Sequence, residues 1–475
     1  MSSWVQVHKS VLFFTFFLTY SSFFVEAQTH KKDLSEALIS YHVVDLNTDE
    51  VLADYNGEKL MTPASLLKLV TTATVLELQG AEKRNSTTIY SRGEVVNGQL
   101  RGDLIVKADA DGTFGSSHFA STKPDELLRS FKQRLNQLGI YSLDGKIIFD
   151  LSVLPPPYQP AGRLIEDISN YYGASPMPLS WRDNSFQIVL KSPSSSGQLC
   201  SIVEVVPSFN DLQFNCYVES ASNRKDSAYI FGYPGSNIWD IRGSIPSGRD
   251  RFIIKGALPH PEKVFADELV HCFDHSSKIQ LEYHFQRPAY HTVKEILSIP
   301  SPSLSEVIKV VNQKSNNLLA DHLFLGLNKA GNNPANRWTA AALITKKFWK
   351  SENFDAPFLI YDGSGLSPRN KVSSRFMVDV LKFMNFSSNA DLYKNSLAIG
   401  GVSGTLRSLW QEERYRGRVF AKSGSMEGVI NYAGYLVSNS NKEIAFSVMI
   451  NNYSGSNEVP KEYIVSLISS GIDDL

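Results

Sequence analysis

Two polar side chains interrupt an otherwise apolar run. Met61-Thr62-Pro63-Ala64-Ser65-Leu66-Leu67-Lys68-Leu69-Val70 reads as the opening turn of a helix that continues past Leu76 and Leu78 and stops at Gly80. Pro63 suits a first helical position, where its missing N–H costs nothing. A helix apolar on nearly every face is a buried one. Ser65 and Lys68 stand three apart and so share one side of it. Burying a lysine is costly unless something uses it. A hydroxyl beside an amine is the composition of a nucleophile with its base. For the pair alone, the alternative is a capping serine with a snorkelling lysine. Two further strings carry matching groups: Ser315-Asn316-Asn317, an S-x-N, and Lys422-Ser423-Gly424-Ser425, a K-[ST]-G. Each by itself is ordinary, a polar helix start and a strand end. All three strings together, in this order along one chain, are a stronger signal than any one of them.

In the order S-x-x-K, S-x-N, K-[ST]-G, the three strings match the motif set of β-lactamases and penicillin-binding proteins. Other segments select a subgroup. Asp362-Gly363-Ser364-Gly365-Leu366-Ser367-Pro368-Arg369-Asn370 resembles the D-G-S-G-L-S-R-x-N segment of the D-alanyl-D-alanine carboxypeptidase/endopeptidase family, the class C low-molecular-mass penicillin-binding proteins. Ser315-Asn316-Asn317-Leu318-Leu319-Ala320-Asp321 is similar to that family's S-D-N-x-x-A-D, and Ser403-Gly404-Thr405-Leu406 and Lys422 to Val429 also follow its pattern. The chain departs from it in three places. Ala108-Asp109-Ala110-Asp111-Gly112 keeps only the aspartate Asp111 of G-x-G-D-P, Asn316 stands where aspartate is common, and Ser423 stands where threonine is common.

The resemblance implies a serine-type D-Ala-D-Ala carboxypeptidase or D,D-endopeptidase. Ser65 attacks, Lys68 takes its proton with burial and a nearby cationic Lys422 keeping the Lys68 amine neutral, and Ser315 relays the proton to the leaving nitrogen. Asn317 holds the substrate amide and Lys68, while Lys422, Ser423 and Ser425 grip the terminal carboxylate. The backbone N–H groups of Ser65 and Ser425 form the oxyanion hole. Asp167, in Gly162-Arg163-Leu164-Ile165-Glu166-Asp167, is the candidate for recognising a side-chain amine of the substrate, with a loop-capping aspartate as the alternative. The implied partners are peptidoglycan stem peptides, with β-lactams as covalent inhibitors. Two other functions share these motifs: a β-lactamase-like hydrolase and a catalytically silent cell-wall binding protein. The D-G-S-G-L-S segment and the large insert argue against the first, and the complete set of reactive groups against the second.

These residues must be positioned by a particular architecture. The expected fold is α/β (α+β), a penicillin-binding-protein/β-lactamase-like transpeptidase fold: an antiparallel sheet flanked by helices, interrupted by a mostly β insert. Residues 1–27 read as a signal peptide, 28–90 and 293–475 as the two parts of a catalytic domain, and 91–292 as one or more inserted domains. At the local level, Asp33 to Ile39 reads as a short helix. Ser40 to Leu46 and Val51 to Tyr55 form a hairpin around Asn47-Thr48-Asp49-Glu50. Asn97-Gly98 marks a second hairpin turn. A helix spans Pro124 to Leu138, and Asp144-Gly145 reads as a turn before a strand over Lys146 to Asp150. Short β runs fill Phe186 to Tyr283. Ser303-Leu304-Ser305-Glu306 is a capping box opening a helix, and another helix follows Ser315. Val429 to Val437 and Glu443 to Ile450 are a closing strand pair.

The 475 residues carry a formal net charge of -1, which gives no reason to expect nucleic acid. Val11 to Phe24 is apolar and follows Lys9, and Val25-Glu26-Ala27 resembles a Sec cleavage site. Export to the periplasm follows, with at most peripheral membrane association, the alternative being an uncleaved anchor. Gln28 in place of cysteine argues against a bacterial lipoprotein anchor. Cys200, Cys216 and Cys272 are odd in number. Cys200 and Cys216 could bridge, or all three could act as buried small hydrophobes. No C-x-x-C or H-E-x-x-H spacing supports a zinc site, and the implied acyl-enzyme chemistry needs neither a metal nor an organic cofactor.

Overall fold

The computed structural model describes residues 34–208, 211–233, 235–288, 291–328, 337–354 and 357–474. The signal segment lies outside them. The first strands are β1 (Leu38–Asp45) and β2 (Val51–Tyr55), followed by α1 (Leu67–Gln79). The expected helix over Asp33 to Ile39 is corrected. Turns occupy residues 34–36 and the stretch ends in β1, because Leu38 and Ile39 pair with Asn451 and Ile450, while Asp33 lies outside the described residues. A pairing partner far along the chain overrides weak local helix propensity here.

The insert follows. Strands β3 (Ser86–Val96) and β4 (Gln99–Lys107) flank the Asn97-Gly98 turn, and α2 (Pro124–Gln137) leads to β5 (Ser142–Asp150). The Asp144-Gly145 turn is also corrected: β5 runs through both residues. Asp144 pairs with Arg101 on one side and Lys278 on the other. Gly145 is there for space, since a Cβ at this position would lie 1.8 Å from the Gly102 carbonyl oxygen. Next come β6 (Ser185–Lys191), β7 (Ser201–Val206), β8 (Gln213–Ala221), β9 (Tyr229–Phe231), β10 (Ile238–Pro246) and β11 (Phe252–Ala257). Helix α3 (Pro261–Val270), β12 (Lys278–His284) and β13 (Lys294–Pro300) complete it. The sheets are β12-β5-β4-β3-β13, β8-β10-β9 and β11-β6-β7, packed round one core that includes Phe114, Trp181 and Phe265. Strands β3 and β13 reach beyond the 91–292 span, starting at Ser86 and ending at Pro300. The three cysteines are free thiols.

The chain then returns through α4 (Leu304–Lys314), α5 (Asn317–Gly326), α6 (Arg337–Ser351), α7 (Ser374–Phe386) and α8 (Ala390–Ser396). The Ser303–Glu306 capping box is formed. Strands β14 (Ala398–Ile399), β15 (Val419–Met426), β16 (Val429–Val437) and β17 (Glu443–Asn451) precede α9 (Glu458–Asp474). They pair with the first hairpin in an antiparallel sheet of order β14-β15-β16-β17-β1-β2. Helices α1 and α7 pack on one face and α9 on the other, which is why β16 and β17 are buried on both sides. Among the described residues no helix is long and apolar enough to cross a membrane.

Candidate active site

The nucleophile candidate sits on a short 3-10 turn, Ala64–Leu66, that runs directly into α1. Pro63 precedes this turn, so the chain enters α1 through a tighter coil than the expected helical N-terminus. Ala64 has φ +48°, a left-handed value that an alanine adopts only when held there. Two buried asparagines do the holding. Asn431 Nδ2 donates to the Thr62 and Pro63 carbonyls, both at 3.0 Å, and the Thr62 N–H donates to Asn451 Oδ1 at 2.8 Å. Asn431 Oδ1 in turn accepts from Ile450 N at 3.1 Å and Asn451 Nδ2 at 3.3 Å. Sequence reasoning missed both residues. Their signal is an amide side chain in the middle or at the end of a strand that is otherwise apolar.

Lys68 is fully buried one turn below Ser65. Its Nζ lies 2.9 Å from Ser65 Oγ, 2.6 Å from Asn317 Oδ1 and 2.6 Å from the Ser364 carbonyl oxygen. Asn317 Nδ2 donates to the Tyr172 carbonyl at 2.8 Å, which fixes the orientation of the amide. Two of the three Lys68 partners are therefore pure acceptors. A neutral amine has two N–H groups for them and one lone pair left for the Ser65 O–H. Burial pulls the Lys68 pKa down to about 7; Asp321 and Asp362 oppose the shift and Arg163 assists it. The expected part played by Lys422 is revised in one respect. Burial first, then repulsion from Lys68, holds Lys422 well below the usual lysine range, whereas Lys68 itself is lowered chiefly by its own burial.

The D-G-S-G-L-S segment wraps two buried carboxylates. Asp321 Oδ1 accepts from the Gly363 and Ser364 N–H groups, both at 2.9 Å, and Asp362 accepts from Gly365 N at 2.9 Å and Ser367 N at 2.8 Å. This wrapping turns the Ser364 carbonyl toward Lys68. Ser315 has φ +57° at the C-terminal end of α4, and Asn316 caps α5 by accepting from Leu319 N at 2.9 Å. The S-x-N string is thus the corner between two helices. The substituted Asn316 also donates through Nδ2 to His118 Nε2 at 3.2 Å, a contact with the insert.

The third string lies on β15. Gly424 packs against the nucleophile turn so closely that a Cβ would meet the Pro63 carbonyl oxygen at 2.7 Å and the N–H nitrogens of Ser65 and Leu66 at 3.0 Å. Gly424→Ala is expected to push Ser65 away from β15 and lower acylation about 10²-fold. Stopped-flow acylation with a penicillin, alongside thermal melting, checks this. Ser423 donates to Thr405 Oγ1 at 2.8 Å. The Lys422 amine is buried and donates to the Ser423 carbonyl at 2.7 Å. The hydroxyls of Ser423 and Ser425, rather than Lys422, therefore face the cleft beside Ser65.

That cleft has a volume of about 1310 Å³. Ser65, Ser315, Asn317, Ser423, Ser425 and Asp167 all line it, with Lys68 and Lys422 beneath its floor. Asp167 comes from the insert. Burial raises its pKa, while Arg163 and a hydrogen bond from Tyr172 oppose the rise. All eight expected site residues are thus gathered in or under one cleft, brought from four separated stretches of chain. Among the described residues no cluster of His, Cys, Asp and Glu could hold a metal ion.

The family model of the D-Ala-D-Ala carboxypeptidase 3 (S13) family matches residues 23–469. The chain belongs to the S13 family. It is 24% identical over 447 residues to the D-alanyl-D-alanine carboxypeptidase DacB of Haemophilus influenzae, covering 90% of this chain and 89% of the relative. It is 26% identical over 467 residues to a D-alanyl-D-alanine carboxypeptidase of Actinomadura sp., covering 91% of this chain and 81% of the relative. Its fold is that of penicillin-binding protein 4 (dacB) from Haemophilus influenzae. The TM-score is 0.78 at 22% identity, over 94% of this chain and 100% of that one. The same protein complexed with a novel β-lactam matches with a TM-score of 0.74 at 21% identity, over 94% of this chain and 100% of that one. The expected D-alanyl-D-alanine carboxypeptidase family and the penicillin-binding-protein-like fold therefore stand.

Proposed function

We propose that the chain is a serine-type D-Ala-D-Ala carboxypeptidase and D,D-endopeptidase that cuts peptidoglycan stem peptides through an acyl-enzyme on Ser65. One observation carries the reading: Lys68 Nζ reaches Ser65 Oγ while two obligate acceptors occupy its remaining positions. In the first step the Ser65 O–H proton goes to Lys68, and Oγ bonds to the carbonyl carbon of the penultimate D-alanine. The oxygen becomes an anion facing the N–H groups of Ser65 and Ser425, which Gly424 keeps close together. The C–N bond then breaks. The proton passes from Lys68 by way of Ser315 to the departing amine, and Ser65 is left as an ester. Water attacks the ester, returns a proton to Ser65 and frees the shortened peptide.

Asn317 positions Lys68 and the substrate amide. Ser423 and Ser425 bind the terminal carboxylate through their hydroxyls, with the buried Lys422 adding favourable charge from below whenever it is protonated. A β-lactam acylates Ser65 by the same attack, in keeping with the β-lactam complex of the Haemophilus influenzae protein. The insert, bounded at about 91–292 in sequence, forms the substrate-binding wall opposite Ser423. Exported to the periplasm by its N-terminal signal, the enzyme meets its polymer substrate there.

Mass spectrometry of muropeptides tests the reaction. Loss of a terminal D-alanine from pentapeptides and cleavage of D,D-cross-links are expected, and intact substrates would refute it. With nitrocefin a stoichiometric burst is expected, whereas sustained turnover points to a β-lactamase-like hydrolase. Asp167→Asn tests the amine site separately. The KM for stem peptides bearing a free side-chain amine should rise about tenfold, the worth of one charge-assisted contact. Penicillin acylation, which offers no such amine, should stay near the wild-type rate. An equal loss on both reactions assigns Asp167 to loop capping instead.

A further inference from the structure

The insert contributes one side chain to the ground beneath the catalytic lysine. Arg163 is buried, and its guanidinium Nη2 lies 2.7 Å from Asp321 Oδ2 and 3.4 Å from Asp362 Oδ2. Both aspartates are fully buried and close to Lys68. Asp321 is the same carboxylate that orients the Ser364 carbonyl on the Lys68 amine. The loop carrying Arg163 is also tied to the D-G-S-G-L-S segment, with Ser367 Oγ donating to the Gly162 carbonyl at 3.0 Å.

Two buried carboxylates facing an amine favour its cation, and a cationic Lys68 cannot take the Ser65 proton. A guanidinium between them removes one of the two negative charges. It stays protonated at every working pH, unlike a histidine or lysine. Resting on the acyl-enzyme reading above, we propose that Arg163 is a positioning residue through which the insert keeps Lys68 available as a base and holds the Asp321–Ser364 arm against it. The insert would then be part of the catalytic apparatus as well as a binding wall. The charged groups facing Lys68 are Asp321 on α5, Asp362 on the D-G-S-G-L-S loop, Arg163 on the insert loop and Lys422 on β15. Of these, Arg163 is the cation that touches the carboxylates.

The test is the pH profile of penicillin acylation in the full-length chain, measured by stopped flow from pH 6 to 10 for wild type and three variants. For R163M, the rising limb should move up by about one pH unit or more. The rate at pH 7 should fall about tenfold and recover near pH 9. R163K keeps a positive charge and should retain the wild-type limb. R163M/D362N restores the net charge of the trio and should move the limb back toward wild type, which keeps the test open if R163M alone fails to fold. A wild-type limb in R163M, a loss equal at every pH, or a limb displaced in R163K as far as in R163M overturns the proposal. Those results leave wild-type acylation intact, so they are distinct from failure of the acyl-enzyme reading, in which wild type itself forms no adduct.

Discussion

Lys68→Met should leave a folded protein whose acylation by penicillin is slower by about 10³-fold or more. Methionine fills nearly the same volume in the α1 core but can neither accept the Ser65 proton nor donate to Asn317 and Ser364. In the wild type, the neutral amine is the reactive form. Acylation should therefore rise about tenfold per pH unit below the Lys68 pKa of about 7 and level off above it. Lys68→Met should lose this limb as well as the rate. Stability carries a second signature. Because the folded pKa is depressed from 10.5 to about 7, the unfolded chain binds more protons between those values. The contribution of Lys68 to stability thus improves as pH rises through that window and is least favourable below about 7. Removing the amine should flatten that part of the stability curve. Thermal melts of both proteins at pH 6 and pH 9 measure the difference.

Ser65→Ala should abolish covalent labelling by a fluorescent penicillin and lower peptide hydrolysis by about 10⁴-fold or more. The melting temperature should change little, because Ser65 is only half-buried and its hydroxyl is directed at Lys68 and the cleft. The other cleft hydroxyls are Ser315, Ser423 and Ser425, but it is Ser65 whose hydroxyl is hydrogen-bonded to the Lys68 amine. Ser423 is engaged with Thr405. If the alanine variant labels as well as wild type, one of these hydroxyls is the nucleophile instead.

Much of the site was legible because it is written in local strings. Ser65 and Lys68 are one helical turn apart, Ser315 to Asn317 mark a helix corner, and Lys422 to Ser425 lie along one strand. Spacing alone puts the groups of each string on a common side. The capping box at Ser303 and the Asn97-Gly98 turn were readable for the same reason. What escaped the sequence depends on partners far along the chain. Asn431 and Asn451 act on Thr62 and Pro63 across the sheet, and Arg163 meets Asp321 and Asp362 only after the insert folds back. Leu38 and Ile39 became strand through pairing with β17, and Gly145 is demanded by the backbone of β4, not by a turn. The burial of Lys422 was equally out of reach: its amine is enclosed and donates to the Ser423 carbonyl. The large insert was visible as a change of texture, but its strand ends at Ser86 and Pro300 depend on the pairing of β3 with β13.

The central claim is that Ser65 is acylated by way of Lys68. Peptide mapping by mass spectrometry after brief exposure of the full-length protein to benzylpenicillin at pH 8 tests it most directly. The expected result is one penicilloyl group per chain, on the peptide containing Ser65, forming at the wild-type rate only when Lys68 is present. An adduct on a peptide holding Ser315, Ser423 or Ser425, or no adduct at all, would contradict the account.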